Sequence, residues 1–350
     1  MDKYQNSQLN GLKNVNSLGF TEVGDEIMSY LLQNKKGMEV SIMNYGATIT
    51  SIKIPLSAGE MVDVALGFEQ LSDYEASFKL PNAPYFGAVV GRFAGRIDKG
   101  TFRLNEKEIQ LTKNHGNHHL HGGNSGFSQK YWKLKNQNNQ DSPSVTLEYI
   151  SPSGEENYPG MLMAEVTYML TENNQLIVQF HAFSTEDTIL NLTQHSYFNL
   201  DGHFGTTDDL ELQILSDKRL EVNHENIPNG SFVDLIHTQE NFSTPKKIEK
   251  PMDYTFPVSE QHKAVAYLYS KKNQLKMSVF TDQPAVHVYL GGNCFGQIKG
   301  KEGVNYHSKS GICFETQNYP DAPNHKNFPS SVLKSGERYH HQTIFSFENV

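Results

Sequence analysis

The chain has 350 residues, a formal charge of −9 and few arginines, so it lacks the basic stripe that a phosphate backbone requires, and nucleic acid is excluded as a partner. An apolar fraction of 37% and an aromatic fraction of 11% suffice for a sizeable core and exclude a disordered chain. Two cysteines, Cys294 and Cys313, cannot form a disulfide framework, and no apolar run serves as a signal peptide or membrane span. The expectation is a cytoplasmic protein, a monomer or homodimer, with no membrane partner.

Residues 1–20 read as a polar lead-in to a single domain spanning 1–350. Period-two alternation rich in Val, Ile, Thr, Tyr and Phe predicts strands over 39–43, 47–54, 144–150, 162–170, 175–183, 188–198, 209–215, 264–269, 275–281, 285–290, 311–317 and 341–347. Helical periodicity is confined to Phe68–Ser77. Turn clusters such as Glu172-Asn173-Asn174, Pro228-Asn229-Gly230 and Gly291-Gly292-Asn293 separate the strands, because Asn and Gly tolerate the positive φ of tight hairpins. Charge and proline interrupt the alternation over 241–263, which reads as a long loop. Many short strands joined by hairpins predict an all-β fold, a large antiparallel β-sandwich with few short helices.

Four stretches carry candidate chemistry. In GICFETQNYPDAPN, Gly311, Cys313, Glu315 and Gln317 share one strand face, while Ile312, Phe314 and Thr316 share the other. A carboxylate on such a strand is either an edge residue in water or a positioned general base. The alternation predicts Cys313, Glu315 and Gln317 facing a cleft, with Ile312 and Phe314 buried behind. In NLTQHSYFNLDG, His195 shares a polar face with Asn191, Thr193 and Tyr197, which suits a wet groove better than a core. The run HGNHHLHGG brings His115, His118, His119 and His121 together ahead of Gly122 and Gly123. A metal site would need an acidic or thiolate partner that this stretch lacks, so no metal is expected; an imidazole lining a polyol cleft, with the glycines admitting close backbone approach, fits better. In GRFAGRID, Arg92 and Arg96 flank small residues as a solvated turn, or Arg96 is a fork donor to hydroxyls or to a carboxylate, and the pattern is no phosphate loop. TDQPAVHVYLGG adds another strand entry with Gln283 beside Pro284.

Taken in order, VVGRFAGRI, LHGG, NLTQHSYFNL, TDQPAVHVYLGG and GICFETQNYPDAPN resemble the aldose 1-epimerase family, the galactose mutarotases, over about residues 38–348. GFEQLSDYEA ahead of PYFGAVVGR is also similar. The resemblance implies a β-sandwich with an open cleft, interconversion of the α and β anomers of free hexoses such as galactose and glucose, and no cofactor. It implies Glu315 as general base, His195 as general acid, and Arg96, His121, Asp253 and Gln283 as sugar contacts. An acid must be protonated, and a Glu315 anion nearby would raise the proton affinity of His195. Two positions depart from the family pattern: Gly95 stands where Asn is common, and Asp253 lies in Pro251-Met252-Asp253-Tyr254, inside the irregular 241–263 stretch. A sugar-phosphate 1-epimerase would call for an added cationic cluster. A non-catalytic sugar-binding sandwich has no use for both Glu315 and His195, and a glycosidase needs a second carboxylate in a comparable strand.

Overall fold

The alternation of Leu162, Ala164, Val166, Tyr168 and Leu170 with less buried neighbours turns one face of the strand Leu162–Leu170 inward, and the next strand, Gln175–Ser184, repeats the pattern with Leu176, Val178, Phe180 and Ala182. In the computed structural model, which describes residues 14–260, 263–291 and 296–350, these two strands lie within a nine-stranded antiparallel sheet. Its order is Lys133–Asn138, Ser144–Ser151, Leu162–Leu170, Gln175–Ser184, Arg338–Asn349, Leu275–Thr281, Ala264–Ser270, Glu211–Ile214 and Lys246–Lys247. The facing layer comprises a five-stranded meander from Val15–Phe20 to Met61–Asp63 and a four-stranded sheet. The four-stranded sheet runs Tyr197–Phe198, Ile312–Gln317, Ala285–Leu290, Asp253–Pro257. One contiguous apolar cluster draws on all three sheets through residues such as Leu32, Val178, Val286 and Phe314. The expected all-β antiparallel sandwich is the observed fold, and among the described residues the only α-helix is Leu71–Ser77.

The seam between the four- and nine-stranded sheets is apolar, with the Phe198 and Phe345 rings 5.0 Å apart, except at one polar knot. There, buried His341 pairs through Nδ1 with the Leu192 carbonyl (3.1 Å) and through Nε2 with the hydroxyls of Thr343 (3.0 Å) and Thr316 (3.2 Å). Burial pushes its proton affinity down to about 4, against the opposing charge of Asp282. The unfolded imidazole titrates near 6.5, so the unfolded chain gains a proton in a window where the folded chain does not. Stability from this group is therefore complete above about pH 6.5 and lost toward pH 4, by roughly 3 kcal/mol in all. Melting temperature should fall on acidification from pH 7 to 4.5, and His341→Gln should flatten part of that slope. A wild-type melting temperature that holds constant over the range would contradict this.

Three sequence expectations change. Residues 188–198 do not form one strand but three two-residue strands, Thr188–Ile189, Thr193–Gln194 and Tyr197–Phe198, each paired with a different partner. The chain switches neighbours twice, and His195 sits at the second switch, its backbone bonded to Ala88 and Gly87. The stretch 241–263 is not all loop: it supplies Lys246–Lys247 and the edge strand Asp253–Pro257, where Pro257 is tolerated because an edge needs fewer ladder bonds. The lead-in of 1–20 contains the strand Val15–Phe20, paired with Glu26–Gln33. Cys294, Asn293 and Gly292 lie outside the described residues.

Candidate active site

The four-stranded sheet forms the floor of the site, and its register sets out which side chains share a face. Tyr197, Cys313, Tyr289 and Asp253 stand in one cross-strand row, and Glu315, His287 and Thr255 in another. Every residue of Ile312–Gln317 is buried, so its two faces differ in chemistry rather than exposure. Ile312 and Phe314 join the main apolar cluster, while Glu315 and Gln317 line a cavity of about 350 Å³. That cavity is walled further by Tyr85, Arg96, His115, His121, His195, Asp253, His287 and Tyr289.

Within it, His195 Nε2 lies 3.4 Å from Glu315 Oε1, and both side chains are almost fully enclosed. The other carboxylate oxygen, Oε2, is buried with no hydrogen-bond partner in the protein, as are Arg96 Nε and Gln317 Oε1. Buried polar atoms left unpaired in this way are costly unless a ligand meets them. His287, directly across the ladder from Glu315, pairs through Nε2 with Asp253 Oδ1 (3.0 Å) and through Nδ1 with Thr255 Oγ1 (2.8 Å). The second Asp253 oxygen accepts from Asn226 Nδ2 at 2.9 Å. The backbone N–H of Gly95 donates to His121 Nδ1 at 3.2 Å, so a neutral His121 ring presents Nε2–H to the cavity.

Electrostatics divide the histidines. Burial holds His121 well below the ordinary imidazole range, helped by the charges of His195 and Arg96. Burial also lowers His195; Glu315 raises it as expected, but burial outweighs that and the net shift is downward. Burial pulls His287 down too, but its Asp253 bond and the charges of Glu315 and Asp253 outweigh that and raise it. Asp253 sits below its ordinary value: burial alone would raise it, and the bond to His287 with the charges of His287, Arg96 and His115 prevails. The result is a cavity with two carboxylates, one arginine and an imidazole prone to hold a proton, beside three histidines, His115, His121 and His195, whose proton affinity is lowered.

The profile of the family described as aldose 1-epimerase matches residues 28–346. A galactose mutarotase from Bos taurus is 38% identical over 322 residues, covering 89% of this chain and 91% of the bovine protein. An aldose 1-epimerase from Escherichia coli is 31% identical, covering 90% of this chain and 94% of its own length. The chain belongs to the aldose 1-epimerase family. A solved galactose 1-epimerase from Lactobacillus acidophilus superposes with a TM-score of 0.82 at 28% identity, covering 97% of this chain and 99% of the other. An aldose epimerase homologue from C. elegans gives a TM-score of 0.84 at 27% identity, over 92% of this chain and 99% of that one.

Against this family background, the fold gathers Glu315, His195, Arg96, His121 and Asp253 around one cavity. Gln283 does not join them: it lies outside the cavity wall, in the turn before Ala285–Leu290, with its amide on Asp282 Oδ1 at 2.9 Å. Cys313 is not a wall residue either; its sulfur lies 3.6 Å from His195 Nδ1. Sequence reasoning missed His287 and Tyr289, although Ala285, His287 and Tyr289 follow the two-residue repeat onto the face that carries Glu315.

The histidine run splits by role. His115 and His121 reach the cavity, whereas His119 is held between Thr112 O and Tyr158 Oη (both 2.6 Å), and His118 faces Asp98 (3.2 Å) and Glu225 (3.4 Å). Gly122 is required where it stands, since it has φ +87° and a Cβ there would collide with the Gly91 carbonyl. His121, His195 and Glu315 place donor atoms within 4.8 Å of one another, the one such group among the described residues. The Gly95 bond works against metal ligation, because it leaves the proton on the cavity-facing nitrogen of His121.

Proposed function

We propose that this aldose 1-epimerase interconverts the α and β anomers of free hexoses such as galactose and glucose, with Glu315 as general base and His195 as general acid. The observation that carries the assignment is the enclosed Glu315–His195 pair, a proton acceptor and a proton donor 3.4 Å apart on the wall of a polar cavity. Glu315 takes the proton of the C1 hydroxyl as His195 delivers one to the ring oxygen. The C1–O5 bond breaks with its electron pair going to O5, and a C1 carbonyl forms. Rotation about C1–C2 presents the other carbonyl face; O5 attacks, its proton returns to His195, and Glu315 gives its own to O1. Acid and base are restored, and no electron leaves the sugar. Arg96, His121 and Gln317 supply hydrogen bonds to the remaining hydroxyls, with Tyr85 and Tyr289 as an aromatic wall.

The cavity wall argues for a free sugar over a sugar phosphate, because Arg96 is its one Arg or Lys side chain. Asp253 supplies the second strand-borne carboxylate that the sequence did not reveal, yet both its oxygens are held, by His287 and Asn226, and its proton affinity is low. Such a group orients hydroxyls and is a poor general acid for glycoside cleavage. A cytoplasmic setting, in which two cysteines stay reduced, accords with this reading.

The test is polarimetry on freshly dissolved α-galactose and α-glucose. Exchange well above the buffer rate is expected, and it should be unchanged by a chelator. Wild-type protein no faster than buffer would refute the catalytic reading, and loss of activity on chelation would refute the metal-free one.

A further inference from the structure

His287 stands between the two carboxylates of the cleft. Its strand, Ala285–Leu290, is flanked by Ile312–Gln317 on one side and Asp253–Pro257 on the other, so the His287 ring has Glu315 across one ladder and bonds Asp253 near the other. A cation between two carboxylates offsets their repulsion, and neither Arg nor Lys occupies that position. Arg96 approaches from the Arg96–Ile97 strand, and His195, His121 and His115 face the same cavity from other segments. Both His287 nitrogens have oxygen partners, Asp253 Oδ1 and Thr255 Oγ1, an arrangement that an imidazolium satisfies by donating twice.

We propose that His287 is a positioning residue that places a positive charge between the two carboxylates of the cleft, keeping Glu315 ionised for proton uptake and fixing Asp253 toward the sugar. This rests on the reading of Glu315 as base. The raised proton affinity of His287 accords with it, the Asp253 bond and the Glu315 charge outweighing burial. The same charge acts on His195 and His121, lowering both. A lowered His195 imidazolium is a stronger acid, so one cation favours both halves of the proton exchange. A lowered His121 stays neutral and keeps its Nε2–H as a hydroxyl donor.

Replacing His287 by Gln keeps a donor for Asp253 and removes the charge. In the pH profile of kcat/KM for galactose, the acid limb should then move to higher pH by about half a unit or more, as expected when a cation beside a carboxylate is lost. A purely structural residue would change the height of the profile and leave the limb in place, and an unmoved limb overturns the proposal. The second measurement needs neither turnover nor a His287 variant that is active. Histidine ring signals in the NMR spectrum of the wild type, with His287 identified by its absence from the His287→Gln spectrum, should show His287 losing its proton above the ordinary imidazole value of about 6.5. In Glu315→Gln the same ring should lose its proton at lower pH, because the coupling is reciprocal. A His287 already neutral at pH 6 in the wild type, or one indifferent to Glu315→Gln, overturns the proposal. A wild type without anomer exchange would instead overturn the catalytic reading, while the NMR arm still decides the charge.

Discussion

Glu315→Gln should exchange galactose anomers at least about 10²-fold more slowly than the wild type, toward 10⁴-fold if no other group takes over the proton. The amide keeps the volume and one acceptor but has no lone pair basic enough to remove the C1 hydroxyl proton. Neither neighbouring carboxylate nor imidazole replaces it readily. Asp253 is occupied on both oxygens, and His287 has its proton affinity raised and both ring nitrogens paired. KM should change less than kcat, because Arg96, His121 and Gln317, the proposed hydroxyl contacts on the cavity wall, are untouched by the substitution. The wild-type profile should also decline as pH rises through and beyond neutrality, since the acid is an imidazolium whose lowered proton affinity is overcome only toward acid. Initial-rate polarimetry of both proteins from pH 5 to 9 checks these points. A Glu315→Gln protein within threefold of wild type would remove Glu315 from the chemistry, and a wild-type rate flat to pH 9 would remove His195 as acid.

What the sequence disclosed follows the physics of strands. Leu162–Leu170 and Leu275–Thr281 were bounded correctly by alternation alone, because one face of each meets the core and the period of two is enforced along the whole length. The same reasoning set Glu315 and Gln317 on the cleft face, with Ile312 and Phe314 behind. It failed where backbone partners change within a few residues. Around His195 the chain pairs in turn with three segments, so an apparently continuous strand is three short ones, and no side-chain period records the switches. It failed again at Asp253, whose edge strand needs only one ladder and so tolerates the charges and prolines that read as loop. His287 was missed although its periodicity was legible. A single histidine in an alternating strand gains meaning only once the register sets it opposite Glu315 and beside Asp253.

Arg92→Met should lower unfolding free energy by about 3–5 kcal/mol, the range for breaking a buried, hydrogen-bonded charge network. The two arginines of GRFAGRID look equivalent in sequence and are opposites in place. Arg96 reaches the cavity, whereas Arg92 is about 2% exposed and its guanidinium makes six hydrogen bonds. Its acceptors are the Ser151 hydroxyl, twice, and the carbonyls of Ser151, Pro152, Pro159 and Gly160. Those carbonyls belong to the two ends of the connection from Ser144–Ser151 to Leu162–Leu170, so one side chain ties that loop to the segment carrying Gly95 and Arg96. Met fills much of the volume but leaves the carbonyls buried and unpaired, each costing about 1–3 kcal/mol unless water reaches it. Arg92→Lys retains the charge with a single nitrogen that cannot span the same acceptors, so it should recover less than half of the loss. Urea denaturation of the three proteins measures both differences. A loss below about 1 kcal/mol in Arg92→Met would mean that the loop repacks freely and that the clamp is dispensable. The segment held by Arg92 also holds the Gly95 N–H against His121, so loosening it should release the His121 ring and raise KM at temperatures where the variant is still folded.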